Sequence, residues 1–324
     1  MVYQKKTSRL YGGSSTGNLS YFGTGLDGSV TISATASAGT GDDDSSVLVS
    51  NFTSLTINSG QTYAPAGRRR AWIVYVQGDC VINGTLAMNK GASAVASQVE
   101  IVRDTPDSIL GINNLNKTVQ FVCPVAGGAG GAGRTTDAPG LPGTAGTNGR
   151  TGGGGAGGAQ GEGSSGSGSA GTAYSGGSGG GGAGGNAGSN AIANGGAGGA
   201  GATGGRGAGG GAGNPGGAAG SASGSTAGTS GTGGTIMLIV GGNLTIGGSA
   251  IISANGSAGG SGGALTSYPA GGGGSGGGRV IVLYSGTLTN SGTIQANGGA
   301  AGTSSYEPGG AGGAGSVTSP TQVS

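Results

Sequence analysis

The chain has 324 residues, of which 89 are glycine, with 4% aromatic and 7% charged residues, two cysteines, no histidine and a formal net charge of +2. This composition excludes an ordinary globular domain over the whole length, because too few large side chains remain to bury. It also removes the commonest general base and transition-metal ligand, and the charge is too small and too evenly spread to call for nucleic acid as a partner.

Glycine is unevenly placed. Only fourteen glycines precede residue 126, whereas residues 126 to 324 hold 75 glycines and seven charged residues. In chain order, MVYQKKTSRLYGG carries lysines without a following apolar run and does not read as a secretory signal. No apolar stretch is long enough to cross a bilayer, so membrane insertion is not expected and the chain reads as a product of the cytoplasm. GSVTISA near residue 28 and SLTINSG near residue 54 read as short strands. Between them Asp42, Asp43 and Asp44 could hold a cation loosely, but three adjacent acids among glycine and serine read better as a solvated turn. Arg68, Arg69 and Arg70 read the same way.

Residues 72 to 91 (WIVYVQGDCVINGTLAMNKG), 236 to 256 (IMLIVGGNLTIGGSAIISANG) and 280 to 298 (VIVLYSGTLTNSGTIQANG) are three copies of one unit. Each has a five-residue apolar strand, a turn, a second short strand, a glycine eight residues after the first strand ends (Gly84, Gly248, Gly292) and a third strand closing at Asn-Lys-Gly or Asn-Gly. Alternation and β-branched residues give strand. A repeating unit of this kind predicts a short β-solenoid, each rung covering the apolar edge of its neighbour. Cys80 and Cys123 sit in apolar strand-like contexts and read as buried free thiols.

Between the units lie glycine tracts with a period of three. In residues 194 to 217 the period is strict, with glycine at Gly195, Gly198, Gly201, Gly204, Gly207, Gly210, Gly213 and Gly216. Collagen is excluded by the shortness of the runs and the near absence of proline. The alternative is a bundle of left-handed extended helices of the polyglycine II type, formed by one chain and inserted between the rungs. Glycine at the inward edges would let backbones approach closely enough to hydrogen-bond between helices. The fold class predicted is therefore all-β and irregular, a short β-solenoid with an inserted glycine-rich extended-helix bundle.

A search for chemistry finds little. The eleven carboxylates form no convincing acid/base pair, the glycine loops lack GK[ST], and the serines have no base to activate them. No catalytic residue, metal site or cofactor is expected, and the chain does not read as an enzyme. Side-chain chemistry is concentrated instead in the breaks between the periodic runs, among them SAGTAYS, SNAIAN, ALTSYPA and TSSYEP. Tyr174, Tyr268 and Tyr306, with Ile192, are the residues there able to bury area against a partner or stack on a sugar.

The tracts GGAGGAG, GGGGAGGNAG and NGGAGGAGATGGRGAGGGAG resemble the glycine-rich packed-helix domain of the adhesin at the tip of the long tail fibres of T-even-type phages. The units containing TINSG, VINGTL and TIQANGG are similar to glycine-rich tail-fibre and other virion proteins of tailed phages. The likeness covers about residues 70 to 320, and residues 1 to 70 carry nothing recognisable of that adhesin's fibre-attachment domain. It implies a virion structural protein at the particle surface, a tail-fibre or receptor-binding component, with an architectural capsid decoration or head-fibre protein as the alternative. Residues 1 to 70 would hold the first strands and the attachment to other virion proteins. Residues 71 to 125 would hold the first rung and an insertion, 126 to 235 the extended-helix region, and 236 to 324 two further rungs with shorter insertions. The implied partners are other virion proteins and a host-surface receptor, protein or glycan. A homo-oligomer is compatible with the sequence.

Overall fold

Three unbroken apolar runs set the architecture, since a strand with no polar alternation requires cover on both faces. The computed structural model describes residues 22–91, 160–161, 164–165, 223–231, 233–263, 271–303 and 311–323. In chain order the strands are β1 (Gly28–Ile32), β2 (Ala36–Ala38), β3 (Asp43–Ile57), β4 (Thr62–Pro65), β5 (Arg69–Val76), β6 (Cys80–Ile82), β7 (Thr85–Ala87), β8 (Gln160–Gly161) and β9 (Ser164–Ser165). They continue with β10 (Thr235–Val240), β11 (Leu244–Ile246), β12 (Ile251–Ser253), β13 (Arg279–Tyr284), β14 (Leu288–Asn290), β15 (Thr293–Gln295), β16 (Ser316–Val317) and β17 (Thr321–Gln322).

The strands form a ten-stranded sheet, ordered β14-β11-β6-β3-β5-β10-β13-β16 with β1 on β3 and β17 on β13, and a five-stranded sheet, β15-β12-β7-β4-β2. All pairings in these two sheets are parallel. β8 and β9 make a separate antiparallel pair. The three sequence units lie in register, with Val76, Val240 and Tyr284 as strand neighbours and Ile82, Ile246 and Asn290 likewise.

The predicted β-solenoid with an inserted polyglycine II-type helix bundle is corrected by this topology. The larger sheet is one parallel surface, curved like a half-barrel, and no helix occurs among the described residues. The physical reason lies in β3. Where later units turn at Gln77-Gly78, Gly241-Gly242 or Ser285-Gly286, β3 has Thr53-Ser54 and stays extended. It pairs with β5 through Val47–Phe52 and with β6 through Leu55–Ile57, joining the first and second strands of the later units into one sheet. The long tract expected to form the bundle, including Gly195 to Gly216, lies outside the described residues, and the shorter described tracts 254–263, 271–278, 296–303 and 311–315 contain neither helix nor strand.

A second correction concerns the glycine eight residues after each first strand. Gly84 and Gly292 immediately precede Thr85 and Thr293, which share a register position with Ile251, so their counterpart is Ala250 and not Gly248. The middle unit carries two extra residues at this turn. A Cβ on Gly84 would overlap the carbonyls of Gln61 and Asn58, whereas one on Gly248 would meet nothing within 4 Å.

The main core lies between the sheets. Trp72, Val74, Val76, Ile236, Leu238, Val240, Val280 and Val282 face Leu86 and Ile252 there. Trp72 donates from Nε1 to Ser50 Oγ at 3.1 Å and packs edge-on against Tyr63, with 5.2 Å between ring centroids. The alternate residues Ile73, Tyr75, Met237, Ile239, Ile281 and Leu283 form a second buried layer, joined by Val323 and, in part, by Phe22 and Val47. Both faces of the three apolar strands are thus covered.

Candidate functional site

Because the strands are parallel and in register, equivalent corners of successive units stack. Among the described residues the connections after the third strands therefore leave from the same side. In the early units this corner is tight. Asp42 Oδ2 lies 3.0 Å from Arg68 Nη1, and Asp42 Oδ1 accepts the Arg68 N–H at 2.7 Å. Arg69 donates to the Gly41, Arg68 and Thr40 carbonyls, and Lys90 Nζ to that of Ala66. The acidic run read as a solvated turn is thus tied at Asp42 to the basic run.

In the later units the same corner extends into glycine arms, 254–263 returning through 271–278 and 296–303 returning through 311–315. Residues 223–231 and 233–234 lie beside them. The arms bond to each other through backbone groups spaced three residues apart. Gly256, Gly259 and Gly262 donate to Asn297, Ala300 and Thr303 at 2.8, 3.0 and 2.8 Å. Gly278, Ser275 and Gly272 donate to Ala254, Ser257 and Gly260, closing the outgoing leg on the return leg, and Gly299 and Gly302 donate to Ser275 and Gly272. Thr226 and Thr229 donate to Ser261 and Ala258. A side chain at the contact positions would block this approach: a Cβ on Gly259 would overlap the Gly272 carbonyl, and one on Gly302 the Gly260 carbonyl. Glycine is required here by backbone proximity.

Side chains fix the register of the arms at their roots. Asn89 Oδ1 accepts the Asn255 N–H at 2.7 Å, and Asn255 Oδ1 accepts the Asn297 N–H at 2.9 Å. A second ladder runs from Asp79 Oδ1 to the Asn243 N–H and from Asn243 Oδ1 to the Thr287 N–H. Midway along the arms the fully buried Ser275 donates to the Gly231 carbonyl at 2.9 Å and accepts the Ser257 N–H, while Ser257 Oγ donates to Thr229. Farther out, Ser261 Oγ lies 2.9 Å from Thr303 Oγ1, and Thr226 Oγ1 accepts the Ser261 N–H. The reading of the sequence missed both ladders, although the recurring Asn-Lys-Gly and Asn-Gly endings marked one of them.

Tyr174, Ile192, Tyr268 and Tyr306 lie outside the described residues. The residues flanking two of their segments are described and adjacent: Gly262 before 264–270 bonds to Thr303, which directly precedes 304–310, and Gly272 after the first segment bonds to Gly302. Among the described residues no three His, Cys, Asp or Glu side chains converge as a metal site. Cys80 is a buried free thiol whose pKa burial pushes up to about 12, so it is poorly suited to act as a nucleophile. Cys123 lies outside the described residues. Among the described residues no helix is long and apolar enough to cross a membrane. No protein-family model, curated protein or solved structure matches the chain.

Proposed function

We propose that this chain is a non-enzymatic structural protein of a tailed-phage virion, a tail-fibre or receptor-binding component that holds short recognition segments at the ends of glycine arms. One observation carries the reading. The bonds from Gly256, Gly259 and Gly262 to Asn297, Ala300 and Thr303 keep two arms in register, so the described residues leading into 264–270 and 304–310 lie side by side. The arms carry only glycine, alanine, serine, threonine and asparagine, whereas these segments contain Tyr268, Pro269, Tyr306, Glu307 and Pro308. A hydrogen-bonded backbone scaffold leading into chemically richer segments suits contact with a host receptor, protein or glycan. In this proposal residues 1 to 70 attach the chain to other virion proteins, and no cofactor takes part.

Two measurements test the reading together. Antibody labelling of purified particles should place the protein on the virion surface, and antibody fragments against residues 260–310 should block adsorption to the host. Labelled particles that adsorb normally under saturating fragment would instead favour a capsid decoration or head-fibre protein. Absence from the particle would refute both.

A further inference from the structure

We propose that copies of this chain join head to tail through the open edges of the two parallel sheets, β14 and β15 of one copy receiving β1 and β2 of the next. This joint is independent of recognition at the arm ends, because it concerns the sheet edges, and it gives β1 and β2, within the attachment region 1 to 70, a second copy of this chain as partner. Among the described residues β14 pairs only with β11 and β15 only with β12, while β1 pairs only with β3 and β2 only with β4. Among the described residues, main-chain donors and acceptors on the outer edges of β1, β2, β14 and β15 therefore have no strand partner. The β14/β15 end is also open at its side chains. Leu288 and Ile294 are partly exposed, whereas their register neighbours Leu244 and Ile252 are fully buried.

Soluble proteins blunt such edges with charge, proline or a bulge. Here residues 285–303 contain no charged residue or proline, and neither do residues 28–41. The charges of the first three units lie elsewhere, at Asp27, Asp42, Arg68, Asp79 and Lys90 among others. Neutral edges at both ends fit a second copy better than a partner recognised at one end alone.

The side-chain columns also match. One column runs Val30, Leu55, Cys80, Leu244, Leu288, and the next runs Thr31, Thr56, Val81, Thr245, Thr289. A following copy whose β1 lies on β14 would set Val30 beside Leu288 and Thr31 beside Thr289, continuing both. In the smaller sheet the column Ala36, Tyr63, Leu86, Ile252, Ile294 would continue by setting the small Ala36 beside Ile294. Since every pairing in these sheets is parallel, addition along the stack preserves strand direction, whereas a two-fold dimer would set like edges antiparallel. Such a heterologous contact does not close on itself, so it extends. The single mismatch is Asn290, which ends the column Ile32, Ile57, Ile82, Ile246 and would face Ile32 of the next copy. Its Oδ1 already accepts the Gly292 N–H at 3.0 Å, so the mismatch weakens the joint without forbidding it.

The test uses the full chain with Cys123→Ser, carrying Thr31→Cys or Thr289→Cys. Facing strands at roughly 4.8 Å fall within disulfide reach. Under mild oxidation the mixture should cross-link in pairs, and Thr289→Cys alone should not. In sedimentation, wild type should associate with rising concentration. Leu288→Lys sets a charge in the inward column, where Leu55, Cys80 and Leu244 are fully buried, and should weaken association by about a hundredfold or more in a chain whose melting curve still shows it folded. Asn290→Ile should strengthen it. A chain that stays monomeric at every accessible concentration, cross-linking by Thr289→Cys alone, or association unaffected by Leu288→Lys would each overturn the proposal. Association unchanged by Asn290→Ile would overturn the register, as would a mixture that associates but yields no mixed cross-link because another segment covers the edge.

Discussion

Asn255 and Asn297 stand one above the other at the roots of neighbouring glycine arms, the side-chain Oδ1 of the first accepting the backbone N–H of the second at 2.9 Å. Asn255 itself receives the same service from Asn89. The ladder joins residues far apart in sequence and sets the phase in which Gly256, Gly259 and Gly262 meet Asn297, Ala300 and Thr303. Asn255→Ala leaves the Asn297 N–H without its acceptor and should lower stability by about 1–2 kcal/mol in chemical denaturation. Asn255→Asp keeps an acceptor oxygen and should cost less, because Asp79 already fills the corresponding role towards Asn243. Equal losses in the two variants would count against the ladder.

The register of the second strands gives a paired test. Ile246 is fully buried and its neighbour Asn290 is exposed. Ile246→Ala should cost about 2–5 kcal/mol from lost transfer energy and the cavity left behind. Asn290→Ala should stay within about 0.5 kcal/mol, as surface changes usually do. Comparable urea midpoints for both variants would overturn the pairing.

How much of this was legible follows from where the information sits. WIVYV, IMLIV and VIVLY are local and uniformly apolar, so the strands and their equivalence could be read directly, down to Val76, Val240 and Tyr284. The continuity of β3 could not be, because Thr53-Ser54 sits where other units have a glycine turn and only sheet pairing decides whether the chain bends. Gly248 was misaligned because the middle unit holds two additional residues, and a fixed count from the first strand cannot see an insertion. The period of three in glycine was plain and its consequence for backbone approach is visible at Gly259 and Gly302. The bonds of the buried Ser275, by contrast, depend on segments that meet only in three dimensions.

Glycine requirement differs sharply between positions and can be mapped. Gly302→Ala places a methyl group against the Gly260 carbonyl and should speed amide exchange of Gly262 and Gly272 by separating the arms. Gly248→Ala points into open space and should leave exchange and melting temperature near the wild-type values. Exchange unaltered by Gly302→Ala would show that the arms do not rely on close backbone contact.

Alkaline pH should weaken the fold through Cys80. Burial raises the folded-state pKa from 9.0 to about 12, so the thiol keeps its proton in the folded chain after the unfolded chain has lost it. The unfolded state then binds fewer protons, and stability falls as pH rises. The contribution is whole below pH 9.0 and is lost between 9.0 and about 12. Tyr63 adds to the same trend, since burial is the largest cause raising its pKa above 10.0, opposed by its hydrogen bond with Ser50. Urea midpoints measured above and below pH 9.0 should therefore differ more for wild type than for Cys80→Ala, whatever the absolute cost of the substitution. An identical pH dependence in the two chains would place the alkaline loss elsewhere.

The tyrosines decide between recognition and architecture. Tyr268 and Tyr306 belong to segments whose flanking residues the arms hold together, Gly262 with Thr303 and Gly272 with Gly302. If those segments contact the host, an aromatic side chain there contributes little to folding and much to contact energy. Replacing Tyr174, Tyr268 and Tyr306 together with serine should then abolish adsorption while particle assembly and the melting curve of the purified chain stay unchanged. Particles assembled with the variant can be scored by adsorption rate and by composition in the same preparation. Normal adsorption would assign the chain to architecture, since the richest side chains of its arm segments would then be dispensable. Failed assembly with a lowered melting temperature would make the tyrosines local plugs over bare glycine backbone, and recognition would have to reside in another part of the surface.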